Sequence, residues 1–527
     1  MEKRVLIAVI LSVAVMYGYS FLVPQPPPRS VDKTVVQHAV SSAVSVPAAT
    51  QVQTATVQPV IAPARDVAVE TNLFKAEFSS RGGTLKQLVL KKYREKERPG
   101  GKEVTLFAEH APENYSLKSA AQGFAVDPAV VCSVNSDGFT LGKGDTRVLE
   151  FICPSPQGSL LKKTYTIQGE SYGIDLVQQL TNTGSVQQSG SLQLLLASRV
   201  DNTVKESRFE EHGPVSFVGK DLVALKLKDL EKGPKPYDKD VLWTGYADKY
   251  FLSAVMSGTG AFGPVTIREA RGFVENSISS LPMTLKPGES STIAYKLYFG
   301  PKDLDILKSQ GHQLEAVIDL GWFSMVAKPL LTALKFFYGY VHNYGIAIII
   351  VTVIIKILFY PLTYKSYKSM KQMQKIQPKM AALKEKHKND RDAMNRAVME
   401  LYKTHKVNPL GGCLPMVVQM PIFIALYRAL MSSIELRHAP FMLWIQDLST
   451  KDPYYVTPII MGATMFIQQK MTPNTSMDPT QAKMMMALPL VFTVMFINMP
   501  AGLVLYWLVN NILTIAQQMY INRLLKE

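Results

Sequence analysis

The sequence predicts a polytopic α-helical membrane protein with six transmembrane helices, five of them in the C-terminal part, and an all-β sandwich domain outside the membrane. Three observations in the chain of 527 residues support this fold class. An apolar run lies near the start, a long middle part is rich in short β-forming segments, and the C-terminal part contains five further apolar runs.

Residues 1–23 are predicted to form an uncleaved transmembrane anchor. Nineteen apolar or weakly polar residues follow the initial charged residues, and the run ends at Pro24 without a small-residue cleavage pattern. Lys3 and Arg4 are expected to hold its start in the cytoplasm. Residues 24–65 are rich in Pro, Val, Ala and Gln and contain no aromatic residue, so we expect a disordered linker.

Residues 66–317 are predicted to form a large antiparallel β-sandwich. Apolar residues alternate with polar or small ones, as half-buried strands require, and the cluster 286–289 (KPGE) is typical of a turn. The alternating positions include Ile293, Tyr295, Leu297 and Phe299 in one segment and Ile174, Leu176 and Leu180 in another.

Two of the three cysteines, Cys132 and Cys153, fall in this region. A disulfide between them is possible in an exported domain, but a pair so close in sequence is weak evidence, and two free thiols are the alternative. Cys413 lies in a Gly-rich apolar segment and is expected to be a small packing residue.

Motifs of known enzymes give no support for catalysis. The segment 258–263 fits G-x-G-x-x-G, but Pro264 and a β-like segment follow it, whereas a dinucleotide site needs a helix there. H-E-x-x-H, G-x-S-x-G and Cys/His clusters with metal spacing are absent from the sequence. We therefore expect neither an enzyme nor a cofactor.

Residues 318–343 are predicted to form an amphipathic helix at the membrane interface, with Lys328 and Lys335 on a face separate from the apolar one. An ordinary globular helix is the alternative. The apolar stripe contains Trp322, Val326, Leu330, Leu334 and Phe337.

The helical core is predicted for residues 344–527, and loop charges orient it. Residues 364–410 contain twelve Lys or Arg against four Asp or Glu, whereas 432–453 contain two basic and three acidic residues. Basic loops stay in the cytoplasm. We therefore expect a multi-pass protein of a bacterial inner membrane with both termini cytoplasmic and the β domain in the periplasm. The predicted spans are about 345–363, 411–431, 454–470, 484–499 and 502–520.

Lys356 is the most informative single residue. It lies within the apolar run 345–363, which contains no Asp or Glu. An ionisable group at that depth is expensive and marks a wet, functional cavity by default. The alternatives are a lysine that pairs with a carboxylate or extends to the membrane surface, but the other predicted spans supply no acid either.

Further polar residues accompany Lys356 in the predicted spans. On the second span Thr352, Lys356, Tyr360 and Thr363 are spaced to share one helix face. On the third, Gln419 lies between two prolines. Polar faces avoid lipid, so they are expected to turn toward one another, either as interhelical hydrogen bonds or as a hydrated groove. The last span presents Trp507, Asn511, Thr514 and Gln518.

Residues 364–410 are predicted to form a cytoplasmic helical hairpin with a break near 388–390. Its basic surface is suited to anionic lipid or ribosomal RNA. Plain positive-inside charge with no partner is the alternative.

Four segments resemble the bacterial YidC membrane-protein insertases of the YidC/Oxa/Alb family. They are residues 345–363 (GIAIIIVTVIIKILFYPLT), 408–430, 452–471 and 500–518, and the anchor, linker and β domain resemble the proteobacterial arrangement. The resemblance implies a five-helix insertase core around a groove that is open to the cytoplasm and lipid but closed outward, and an all-β periplasmic supersandwich domain of sugar-mutarotase type. It also implies insertion and folding of inner-membrane proteins, alone or with the Sec translocon, without nucleotide or metal.

The resemblance also implies roles for individual residues. Lys356 matches the positive residue of the groove, Thr352 and Trp507 match positions along the substrate path, and Gln419 matches a polar wall residue. Tyr360 and Asn511 join this set through their helix faces. The family usually has arginine where this chain has Lys356, so bidentate recognition of a carboxylate is not expected.

The expected partners are nascent inner-membrane proteins, the Sec translocon with its accessory subunits, the ribosome through 364–410, and the lipid bilayer. Two other functions stay open from the sequence. Lys356 also fits a secondary transporter of an anionic solute, and the β domain also fits a carbohydrate-binding or isomerase domain. Clients, oligomeric state and the ligand of the β domain do not follow from the residues.

Overall fold

The computed structural model places most of the chain, and the predicted anchor 1–23 and nearly all of the predicted linker lie outside the described residues. Cys413 also lies outside them, as does the middle of the G-x-G-x-x-G segment. The described ranges are 63–96, 100–155, 158–200, 212–258, 262–387, 390–405, 407, 414–471 and 479–525.

Twenty β-strands occupy the first half of the described chain. The first described strand begins at Asp66. The strands are β1 Asp66–Glu70, β2 Phe74–Ser79, β3 Thr84–Arg94, β4 Glu103–Ala108, β5 Lys118–Gln122, β6 Ser133–Val134, β7 Gly138–Thr140, β8 Thr146–Ser155, β9 Ser159–Gln168, β10 Gly173–Asn182, β11 Gln188–Arg199, β12 Gly213–Val218, β13 Asp221–Ala224, β14 Lys235–Tyr237, β15 Val241–Ala247, β16 Phe251–Ser257, β17 Val265–Ala270, β18 Phe273–Ser279, β19 Met283–Leu285 and β20 Ser290–Pro301.

These strands form three sheets that pack around one hydrophobic core. The sheet orders are β4-β3-β2-β1-β7, then β13-β12-β15-β16-β20-β10-β9-β8-β6, and β14-β17-β18-β11-β19 with β5 also paired to β11. Neighbouring strands are antiparallel except for the parallel pair of β1 and β7. The predicted alternation is confirmed at Ile174, Leu176 and Leu180, which are buried. The all-β sandwich is therefore confirmed.

Local contacts confirm two features of this domain. The predicted turn at 286–289 closes with the Glu289 amide donating to the Lys286 carbonyl, and Gly288 has a φ of +80°, which favours glycine. Cys132 and Cys153 form a disulfide. The open question of free thiols or a bridge is therefore answered in favour of the bridge.

Ten α-helices lie in the described part of the chain. One short helix belongs to the β domain, and the other nine follow the last strand. They are α1 Leu227–Leu230, α2 Leu304–Gln310, α3 Ser324–Val341, α4 Tyr344–Leu358, α5 Tyr360–Lys386, α6 Arg391–Thr404, α7 Leu414–Ser432, α8 Val456–Met471, α9 Pro479–Phe496 and α10 Ala501–Leu524.

Helix α3 corresponds to the segment predicted as an interfacial helix, and it buries most of the predicted apolar stripe. Leu334 is buried, and Val326, Leu330 and Phe337 pack partly buried against the hydrophobic cores. The exception is Trp322, which precedes the helix and is 90% exposed. The buried face also includes Ala327 and Leu331, because α3 packs on the β domain and on α7 as well as on α4.

The β domain and the helices share one hydrophobic core. Ala327 and Leu331 of α3 and Ala425 and Ala429 of α7 belong to the same buried cluster as the sheets. Charged contacts reinforce this junction, since the Lys335 ammonium lies 2.7–3.1 Å from carboxylate oxygens of three acidic residues. Those acids are Asp303, Asp305 and Glu435.

Helices α4 and α5 are separated by a sharp break, where a single helix over 345–363 was expected. The chain bends by 60° between them, and Phe359 at the break has φ −90° and ψ 4°. Pro361 explains the break because proline has no N–H and its ring clashes with the carbonyl four residues earlier. The prediction of one straight helix through 363 is therefore wrong.

A helix that crosses a membrane must be both long enough and apolar enough. Over the described residues, no single helix satisfies both criteria, and the bent pair 344–358 with 360–383 satisfies them together. Helix α4 alone measures about 22 Å at 1.5 Å per residue. Its length falls short of the roughly 30 Å hydrocarbon core, so the six predicted spans stay a prediction.

Helices α5 and α6 form the predicted hairpin. Met373, Ile376 and Val407 are buried in a small core of their own, and the Tyr402 hydroxyl lies 3.2 Å from the Met380 sulfur. Asp390 caps α6 by accepting hydrogen bonds from the amides of residues 392 and 393. The break near 388–390 is thus confirmed by the helix ends.

Candidate functional site

Polar side chains from α4, α7, α8 and α10 meet within the otherwise apolar helical bundle. Helix α10 is central, since its first turns are buried from Ala501 to Tyr506. Small residues allow this close approach, as at Gly502, where an added Cβ would lie 3.2 Å from the Leu448 carbonyl oxygen. The polar residues follow on the next turns of the same helix.

Lys356 lies in the last turn of α4 and points toward α10. Its Nζ donates a hydrogen bond of 2.7 Å to Thr514 Oγ1, and the Gln517 amide donates to the Lys356 carbonyl at 3.2 Å. Among the described residues, the Lys356 ammonium has no carboxylate partner. The interpretation of Lys356 as an unpaired cation in a hydrated groove stays a prediction.

Gln419 of α7 also faces α10. Its Nε2 donates to Asn510 Oδ1 at 2.6 Å, and Asn510 is buried. One turn further along, the Thr514 hydroxyl donates to the Asn510 carbonyl at 2.6 Å. A continuous chain of polar contacts therefore runs from Gln419 through Asn510 and Thr514 to Lys356.

Asn511 contributes to a different contact. Its Nδ2 lies 3.4 Å from Thr464 Oγ1 of α8, and Asn511 is buried. Gln518, on the same face, donates to the Met471 carbonyl at 2.8 Å. The predicted stripe of α10 is therefore divided between two contacts. Asn511 and Gln518 face α8, whereas Thr514 faces Lys356 of α4.

Thr352 is buried and does not line an open surface. The side chain is 1% exposed, and its hydroxyl donates to the Ile348 carbonyl one turn earlier in α4. A threonine in a helix commonly satisfies its hydroxyl in this way. The expectation that Thr352 lines the substrate path is therefore not met by this arrangement.

Tyr360 is the first residue of α5, beyond the break, so it does not continue the face that carries Lys356. Its half-buried ring lies 6.4 Å from the ring of Tyr364. The predicted stripe from Thr352 through Tyr360 to Thr363 is wrong for the same reason as the straight helix. The bend at residue 359 separates its two halves.

Trp507 lies in an aromatic cluster between α10, α7 and α9. Its ring centroid is 4.6 Å from that of Phe423, 6.1 Å from Phe492 and 5.2 Å from Phe496. The buried indole Nε1 has no acceptor among the residues that the structure describes. The ring is half-buried, so part of it is open to a neighbouring molecule.

Three residues of this site were missed from the sequence: Asn510, Gln517 and Thr464. The spacing of 510, 514 and 517 is that of one helix face, as is the spacing of the predicted stripe. Two adjacent faces of α10 carry polar residues, and periodicity alone does not say which one faces α4. Thr464 is an isolated threonine among apolar residues and gave no signal.

The described residues form no cluster typical of a metal site. Within the described ranges, no three His, Cys, Asp or Glu side chains come together in a way that could hold an ion. The site consists of one amine, amides, hydroxyls and aromatic rings, and such groups can form hydrogen bonds with a polar segment.

Comparisons with known proteins match both parts of the chain. Residues 66–333 match the family described as YidC periplasmic domain, and 336–527 match 60Kd inner membrane protein. Membrane protein insertase YidC of Geotalea uraniireducens is 56% identical over 525 residues, covering 99% of each chain. That of Geobacter metallireducens is 57% identical over 534 residues, covering 99% of this chain and 98% of the relative.

A solved structure was also compared. The crystal structure of an active YidC insertase with its first transmembrane domain resolved has 17% identity and a TM-score of 0.36, covering 87% of this chain and 94% of its own. A TM-score of this size does not establish a shared fold.

Fold and sequence together define a two-part protein, with an all-β periplasmic-type domain followed by the helical region of an inner-membrane protein. The family boundary at residues 333–336 falls within α3, the helix that joins the two parts. The chain belongs to the YidC family of membrane protein insertases.

Proposed function

We propose that this protein inserts and folds inner-membrane proteins through a hydrated groove bounded by α4, α7 and α10. The observation that carries the proposal is the polar chain from Gln419 to Lys356, which ends in a cation without an acidic partner among the described residues. Family membership supports the activity itself.

The energetics favour such a groove. Burying a new span of about 20 apolar residues releases roughly 6–12 kcal/mol at 0.3–0.6 kcal/mol each, whereas one acidic residue at the bilayer centre costs about 3 kcal/mol. A groove that supplies water and a positive charge lowers that barrier for a polar tail. The free energy that drives insertion then comes from the transfer of the apolar segment into lipid.

The topology belongs to the same proposal. Six spans, cytoplasmic termini and a periplasmic β domain place the basic hairpin 364–410 in the cytoplasm, where it faces emerging chains. Its charge suits the ribosome and anionic lipid, while the Sec translocon and its accessory subunits are partners for larger clients. The transporter of an anionic solute finds no support among the relatives, which are named as insertases.

Site-specific photocrosslinking tests this function. A photoreactive residue replaces Gln517, which lies beside Lys356, and a matched control replaces Leu281, a 63% exposed residue of the β domain. A ribosome-stalled chain of a small inner-membrane protein should be captured from position 517 and not from 281. Equal capture at both positions, or none at 517, contradicts the groove.

A further inference from the structure

A cleft of about 660 Å³ opens in the β domain, away from the helical groove. It lies between the loops at 112–114 and 128–129, the start of β5 and the hairpin of β17 and β18. Its volume is within the usual range of small-molecule sites. The charged side chains around it are Arg81, Lys118, Arg268 and Arg271, against Glu113 and Glu275.

Two of these cations are already engaged. Arg268 forms an ion pair with Glu275, with Nη2 2.6 Å from Oε2, and Lys118 donates to the main-chain carbonyl of Glu113. Arg81 and Arg271 have no acidic partner among the residues that the structure describes. Two guanidinium groups therefore line the cleft with their charge unbalanced.

The backbone conformation at Arg271 disfavours a long side chain, so the turn itself does not explain an arginine at this position. Arg271 and Gly272 have φ of +54° and +79° and connect β17 to β18. Such a turn favours Asn, Asp or Gly at both central positions, and a long side chain there costs about 1–2 kcal/mol. A role of the guanidinium in the cleft gives a reason for this residue.

Lys163 joins two of the segments that line the cleft. This fully buried side chain donates from Nζ to the Gly82 carbonyl at 3.1 Å and to the Leu117 carbonyl at 2.6 Å. Gly82 and Leu117 are the chain neighbours of Arg81 and Lys118. The two segments that carry these cations are thus tied together before any ligand arrives, which reduces the entropy cost of binding.

Lys118 is partly withdrawn from water beside these groups. Burial lowers the pKa of Lys118, the carboxylates of Glu275 and Glu113 oppose this, and the guanidinium groups of Arg268 and Arg271 add to it to a smaller extent.

We propose that this cleft binds a phosphate monoester. A monoester carries a charge of about −1.5 to −2 at pH 7, which matches the two unpaired guanidinium groups, and its oxygens suit their planar pairs of N–H donors. A single carboxylate balances only one of them. A soluble phosphate ester and the headgroup of a phosphatidate lipid share this chemistry.

Calorimetric titration of the full chain in an uncharged detergent tests the proposal, with glycerol 3-phosphate as probe and glycerol as the neutral control. We expect saturable binding of glycerol 3-phosphate and none of glycerol. Arg81→Ala and Arg271→Ala should each weaken binding at least tenfold. Arg147→Ala, a change of the same type outside the cleft, should leave the affinity unchanged.

Two further variants separate binding from folding. Arg271→Gly removes the unfavourable side chain from the turn, so this variant should have a higher melting temperature and still bind more weakly. Glu275→Gln frees Arg268 and should tighten binding severalfold. No saturable binding, or binding that persists in the double variant Arg81→Ala/Arg271→Ala, overturns the proposal.

Dioctanoyl phosphatidate, titrated in the same way, identifies the source of the phosphate. Tighter binding than glycerol 3-phosphate assigns a lipid headgroup, and equal or weaker binding assigns a soluble ester. Both results support a phosphate monoester site when they depend on Arg81 and Arg271.

Discussion

Lys356 Nζ and Thr514 Oγ1 are 2.7 Å apart, and this contact joins the last turn of α4 to the middle of α10. A hydroxyl solvates an ammonium but does not neutralise it. The pair therefore keeps a net positive charge in the helical region, which the insertase proposal requires.

The first prediction concerns this charge. Lys356→Met should reduce insertion of a small client with an acidic tail at least fivefold in reconstituted vesicles, since the tail loses its counter-charge. Lys356→Arg should retain most of the activity, because arginine stays charged. Lys365→Met, at the exposed lysine nearest in sequence, is the matched control. Full activity of Lys356→Met shows that the charge is dispensable.

The second prediction concerns the pair Gln419 and Asn510. Asn510→Leu should lower the free energy of unfolding by about 1–3 kcal/mol, because the Gln419 amide then lacks its buried acceptor. The double variant Gln419→Leu/Asn510→Leu should recover part of this loss. Thermal unfolding of the detergent-solubilised chain measures it, with Ile512→Ala, a half-exposed residue of the same helix, as control. If the stability loss of the double variant equals the sum of the two single losses, the hydrogen bond between Gln419 and Asn510 is contradicted.

Much of this architecture was predictable from the sequence. The two-residue period fixed the strand at Ile174–Leu180, and the charge pattern with a polar break located the hairpin near Asp390. Both signals are local, since strand alternation and helix capping depend on neighbouring residues.

The candidate site was harder to predict. Pro361 ends α4 before Tyr360, although the apolar run continues to residue 363. The apolar pattern did not predict this break, because hydropathy does not register a missing N–H donor. The choice between Asn510 and Asn511 as the residue facing α7 depends on how α10 is rotated in the bundle. That rotation is set by packing, as at Gly502, and not by the helix's own pattern.

The third prediction concerns Lys335 at the junction of the two domains. Burial alone lowers the pKa of Lys335, but Glu435, Asp305 and Asp303 together raise it above its usual range. Lys335→Met leaves the Glu435 side chain, which is 9% exposed, as an uncompensated charge. The free energy of unfolding should fall by about 3 kcal/mol.

Thermal unfolding measures this loss of stability, and tryptic cleavage at the junction shows whether the contact between the two domains has opened. Lys328→Met, at an exposed lysine of the same helix, should change little, and Lys335→Met/Glu435→Gln should recover stability. If the single Lys335 variant matches the Lys328 control, the ion-pair cluster does not hold the domains together.

The fourth prediction concerns the pH dependence of the β domain. Burial lowers the pKa of Lys163 to about 7, whereas an unfolded lysine titrates near 10.4. Between these values the unfolded chain binds one proton more than the folded chain, so the free energy of unfolding rises with pH, by about 1.4 kcal/mol per unit. From pH 7.5 to 9 the gain should be about 2 kcal/mol.

Lys163→Met should remove this pH-dependent gain, whatever its effect on stability at a single pH. Lys162→Met is the matched control, since Lys162 is the adjacent residue on β9 and its ammonium forms an ion pair with Glu150 at 2.8 Å. Denaturant unfolding of the full chain at pH 7.5 and 9 gives the difference for each variant. Other titrating groups contribute equally to the original chain and to both variants, so they cancel. A gain that persists in Lys163→Met shows that Lys163 does not titrate in this range, and that its amine is charged in its contact with the Gly82 and Leu117 carbonyls.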